Sequence, residues 1–130
     1  MVEFKNLQKG FYSGIREKKT VVIKDKEEFL NLWKELTSIF LPPSDPPDID
    51  FNKHVLICVF MGEKPTGGYE VEIKSIIEKK DEVSVYVREI SPGKNCIVTM
   101  ALTQPYHIVI LKKTQKEFKF YFEVEIRDCP

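Results

Sequence analysis

The chain has no excess of charge of either sign. Its 130 residues carry 20 Lys and Arg against 20 Asp and Glu, a formal net charge of zero. Nucleic-acid binders draw most of their affinity from basic excess, so this balance gives no reason to expect that class. Long apolar runs are also missing. None approaches the roughly 20 residues needed to span a bilayer, so no membrane span is expected. The stretch Met1-Val2-Glu3-Phe4-Lys5-Asn6 lacks the apolar segment of a signal peptide. A cytoplasmic setting is expected for the sequence as it stands, and an exported one if a leader has been removed.

Groups that hold metals or act as nucleophiles are scarce. The only histidines are His54 and His107, and neither has a neighbour at ligand spacing. Three cysteines, Cys58, Cys96 and Cys129, stand far apart with no CxxC pair. That spacing supports neither a zinc knuckle nor a thioredoxin-like motif, and the odd count argues against a complete disulfide framework. Cys58 lies inside an apolar run and reads as a small buried hydrophobe. Asp45, Asp48 and Asp50 stand among prolines, whereas a calcium loop needs a compact turn with glycine. Pro65-Thr66-Gly67-Gly68 precedes a strand pattern, while phosphate loops open a helix. Cys96 with His107 is the one nucleophile–base pair to weigh, and nothing local supplies an orienting third group. No metal, no cofactor and no catalytic residue is expected, and the chain does not read as an enzyme.

What is present is mainly β pattern. Phe11–Arg16 and Thr20–Ile23 read as two short strands around a charged turn. One helix follows: Asp25 can cap, Glu28 stands three residues on, and Phe29, Leu32, Trp33 and Leu36 recur at helical spacing. Ile39 and Phe40 continue that apolar face. Pro42, Pro43, Pro46 and Pro47 then forbid helix and leave an extended connector, with Ile49 and Phe51 as anchors. Val55–Phe60 is continuously apolar, as in a strand covered on both faces. Tyr69, Val71 and Ile73 alternate with charged residues, and Val83, Val85 and Val87 alternate likewise. Ile97–Leu102 and His107–Leu111 are further strand candidates. In the last strand Phe118, Phe120, Phe122, Val124 and Ile126 share one face, which should be core. Thr114-Gln115-Lys116 reads as a hairpin connection between the last two strands.

The length fits one domain, 1–130, with no repeat or linker. The expected fold is mainly β: antiparallel sandwich-like sheets with one packed α-helix. The alternative is an α+β open antiparallel sheet covered by the helix.

Gly62-Glu63-Lys64-Pro65-Thr66-Gly67-Gly68-Tyr69 joins two strands through one proline and paired glycines, which gives a loop of defined shape ending in an aromatic. Thr103-Gln104-Pro105-Tyr106-His107 parallels it, and Ser91-Pro92-Gly93-Lys94-Asn95 lies between. Loops held at one end of a sheet scaffold are a usual place for recognition. The expected contact residues are Lys64, Pro65, Thr66, Gly67, Gly68 and Tyr69 with Gln104, Pro105, Tyr106 and His107. Tyr69 and Tyr106 would be the anchors.

The two loop motifs, together with Cys96-Ile97-Val98-Thr99 and the helix–loop–strand order of Lys24–Phe60, resemble the PrcB C-terminal domain family across roughly Val21–Lys112. That family is named for a subunit of a bacterial secreted protease complex. The resemblance implies a non-catalytic module that binds a protein, with a protease as the partner class. A monomer or a homodimer is expected, and a structural protein that homodimerises through these same loops is an alternative. Lys64-Pro65-Thr66-Gly67-Gly68-Tyr69 is also similar to a loop of chagasin-type cysteine-protease inhibitors, and Gln104-Pro105-Tyr106 is partly similar to another. That likeness implies the alternative of an inhibitor inserting loops into a protease cleft.

Overall fold

The computed structural model describes residues 1–129. Seven strands and one helix follow in the order β1 Phe4–Gly10, β2 Lys18–Ile23, α1 Lys26–Leu36, β3 His54–Met61, β4 Glu70–Glu78, β5 Glu82–Pro92, β6 Tyr106–Lys112 and β7 Glu117–Arg127. The strands form two sheets, one ordered β1-β6-β3-β2 and the other β4-β5-β7. The expected sandwich-like fold, mainly β with a single packed helix, is the fold found.

The core has two layers because β3 is buried on both faces. Val55, Ile57, Val59 and Met61 face the three-stranded sheet and pack with Val71, Ile73, Val83, Val85 and Val87. Leu56, Cys58 and Phe60 face the helix. An uninterrupted apolar strand therefore marks the middle layer of an α/β/β stack, as its composition predicted.

The helix starts where its cap residue dictates. The Asp25 carboxylate accepts from the Glu28 N–H at 2.8 Å, and Glu27 and Glu28 stand in the first turn, near the positive end of the dipole. Phe29, Leu32, Trp33 and Leu36 are buried on one stripe. The helix ends earlier than the apolar pattern suggested. The Thr37 hydroxyl donates to the Trp33 carbonyl and the Ser38 hydroxyl to the Glu35 carbonyl, each at 2.8 Å. These bonds give two of the last four carbonyls side-chain partners, and the Gly14 N–H donates to a third, Leu36, at 3.0 Å. Ile39 and Phe40 lie beyond that stop and are exposed. The proline connector is anchored as expected: Ile49 and Phe51 pack on the core, and Trp33 Nε1 donates to the Ser44 carbonyl at 2.8 Å.

Four further expectations are corrected. The first strand is Phe4–Gly10, and Phe11–Arg16 is instead the loop that follows it. Ile97–Leu102 forms no strand; it crosses the end of the molecule as an irregular loop. Thr114-Gln115-Lys116 closes no hairpin. Both edges of β6 are already taken by β1 and β3, so β7 crosses to the other sheet and pairs with β5 in parallel. Only part of the apolar face of β7 is core: Phe118 and Phe120 pack inward, while Phe122, Val124 and Ile126 are exposed.

Candidate recognition edge

The two proline loops meet. Lys64 and Thr103 form an isolated antiparallel bridge, with the Lys64 N–H donating to the Thr103 carbonyl at 2.8 Å and the reverse bond at 3.0 Å. The Thr103 hydroxyl donates to the Thr66 carbonyl at 2.8 Å, and Gln104 Nε2 donates to the Glu63 carboxylate at 2.9 Å. Two further segments join them. The Gly67 N–H donates to the Thr99 carbonyl at 2.9 Å, and the Gln104 N–H to the Phe11 carbonyl at 2.7 Å.

The shape of the first loop depends on its glycines. Gly62 and Gly68 both take φ of +91°, a region that side chains avoid. A Cβ on Gly68 would also stand 2.9 Å from the Pro92 Cβ. Any residue with a side chain would therefore be strained there and would collide with the end of β5.

The predicted contact residues divide by exposure. Pro65 and Gly68 are exposed, and Lys64, Thr66, Gly67 and Tyr69 are half-buried. Tyr69 packs against the inter-sheet core and presents its ring to the Lys64 ammonium, 5.5 Å from the centroid. Gln104, Pro105, Tyr106 and His107 are buried. Tyr106 is 4% exposed and stacks on Phe60 at 6.2 Å, so it is a core residue with no free contact area. Its burial raises the phenol above the ordinary tyrosine value.

Side chains that the sequence reading did not select stand outermost. Ile97 is fully exposed, Met100 is 85% exposed and Leu102 58%, with Phe11 and Tyr12 about half exposed. The cue was a run of apolar residues with no strand alternation beside a proline-rich loop, which is the composition of an exposed rim. Between Tyr12, Tyr69, Thr103 and Arg127 lies an open cleft of about 300 Å³. Its charges are paired: Arg127 lies 3.6 Å from Glu70, which also takes a 2.7 Å bond from Lys9.

The groups weighed for chemistry are otherwise engaged. Cys96 forms a disulfide with Cys129, with a Cα–Cα distance of 5.0 Å. No sequence spacing announced that bond. His107 Nδ1 accepts from the Ile73 N–H at 2.9 Å and Nε2 faces the Asn6 amide oxygen, so both ring nitrogens have partners. Cys58 is the one free cysteine among the described residues, and burial pushes its thiol far up. No group of three or more His, Cys, Asp or Glu residues is placed to hold a metal among the described residues. No helix among them is long and apolar enough to cross a membrane.

No curated protein and no solved structure matches the chain. One family model does match, over a segment that runs from β3 to β6 and contains both bridged loops. Residues 55–112 match the model described as PrcB C-terminal, the family that the loop motifs resemble.

Proposed function

We propose that the chain is a non-catalytic protein-binding module associated with a protease. The observation that carries this reading is the locked edge. Two loops 39 residues apart in sequence are bridged through Lys64 and Thr103, and an exposed apolar rim stands beside them. Exposed apolar clusters on shaped loops suit a protein partner. The match of residues 55–112 to the PrcB C-terminal model supports the protease association. Contact is assigned to Lys64, Pro65, Thr66, Gly67, Gly68 and Tyr69, and to Ile97, Met100 and Leu102 in place of the buried Tyr106. The inhibitor alternative asks Gln104-Pro105-Tyr106 to enter an enzyme cleft, and their burial favours a structural role for those three.

The test is capture by cross-linking in a lysate of the source cells, comparing the native chain with Ile97→Ser, Met100→Ser and Leu102→Ser combined. Substitutions at exposed sites change stability by only about 0.5 kcal/mol each, so the variant stays folded. The expected result is a protease in the native capture and its loss from the variant. Capture unchanged by the three substitutions overturns the assignment of the edge. A native capture that contains no protease overturns the association.

A further inference from the structure

We infer that β7 is a self-complementary dimerisation strand, joining two copies of this chain into one six-stranded sheet. This inference stands independently of the recognition edge. β7 is the outer strand of β4-β5-β7, and it pairs only with β5. The Arg127 carbonyl accepts from the Gly93 N–H on the β5 side at 2.8 Å. Backbone groups alternate along a strand, so those of Phe118, Phe120, Phe122, Val124 and Ile126 point to the open edge. Among the described residues no backbone hydrogen bond reaches them. The edge is 11 residues long, and its apolar row is 45% exposed at Phe122, 71% at Val124 and 67% at Ile126. A long, apolar, unpaired edge is a template for pairing with a strand of another chain.

The sequence of β7 points to a second copy as the cover. An antiparallel pair centred on Phe122 sets Glu117 opposite Arg127 of the second copy and Lys119 opposite its Glu125. On the other face it sets Phe118 opposite Ile126, Phe120 opposite Val124 and Phe122 opposite itself. Every residue of the strand has a partner: one face carries four opposite-charge pairs and two neutral Tyr121–Glu123 pairs, and the other face is apolar throughout. Neighbouring registers lose this match. Centring on Glu123 sets Lys119 against Arg127 and Glu123 against itself. Centring on Tyr121 sets Glu117 against Glu125 and leaves the last residues of the strand unpartnered. Within one copy Lys119 lies 3.8 Å from Glu82 and Glu125 lies 3.9 Å from Arg88. These are loose surface contacts that leave both side chains able to reach across the edge.

The experiment is sedimentation equilibrium of the full chain over a concentration series, with Lys119→Glu and Glu125→Lys made separately. Each variant alone sets two like-charge pairs across the axis, and its dimer dissociation constant should rise about tenfold. An equimolar mixture of the two variants pairs Glu with Lys at both positions, so dimer should return to the native level. Phe122→Cys provides a second arm. Residues at a hydrogen-bonded antiparallel position stand about 5.5 Å apart, within disulfide range, so this variant should oxidise to a covalent dimer. A native chain that stays monomeric overturns the proposal, and so does a dimer unaffected by the single changes. Failure of the mixture to restore the dimer overturns the register.

Discussion

His107 holds the two sheets together through its neutral ring. Nδ1 accepts from the Ile73 N–H of β4, which leaves Nε2–H to donate to Asn6 of β1. Burial, helped by the nearby Lys9 charge and opposed by Glu72 and Glu70, lowers its pKa to about 4. In the unfolded chain the group titrates near its ordinary 6.5. The folded value is depressed and the neutral form is the one that bonds. The contribution is therefore full above about pH 6.5 and is lost as pH falls toward 4. The urea midpoint should decline across that interval, and His107→Gln should flatten the decline. An equal slope in the variant would place the pH dependence elsewhere. Glu72 titrates lower down. Burial raises its carboxyl, but the hydrogen bond from Arg88 and the charge of Lys9 outweigh that and hold it below the ordinary value. None of this was legible in the residues themselves. His107 read as a strand residue and Tyr106 as an anchor, because the partners that bury them are far away in sequence.

At the scale of elements, the helix is the most testable. Phe29 is 2% exposed and touches both Trp33 and Phe51, with ring centroids at 5.7 and 5.8 Å. Truncation to alanine should cost about 3–5 kcal/mol, read from the urea midpoint. Leu30, 42% exposed on the opposite stripe, serves as the control, and Leu30→Ala should cost far less. The two elements read best from sequence, α1 and β3, carry purely local signals: a cap with helical spacing, and an unbroken apolar run. The strand β1 escaped because its pairing shifts between Asn6 and Gln8. Its two large apolar residues, Phe4 and Leu7, also pack into different cores, so neither face shows the apolar row that marks a strand. Alternation was plain in β7, but alternation says only that residues share a face. What covers the face depends on how far the opposite sheet extends.

For the whole molecule, the assignment of strands to the two sheets and the Cys96–Cys129 bond are the features the sequence did not disclose. Both depend on which strands find free edges, which is a non-local outcome. The two bridged loops were legible as shaped elements because each carries its own glycine or proline signals. The bond closes a loop with a sequence separation of 33. By chain-entropy reasoning, reduction should remove about 4 kcal/mol of stability. The check is a pair of thermal melts, with and without reductant. Equal melting temperatures would mean that the reduced chain holds its C-terminal end by packing alone. The same closure governs how the molecule would carry a load. Traction applied at Cys129 passes through sulfur to Cys96 and on to the end of β5. The segment between the two cysteines, with β6, β7 and the apolar rim, lies off that path. A molecule hauled by its tail would keep the rim of Ile97, Met100 and Leu102 slack.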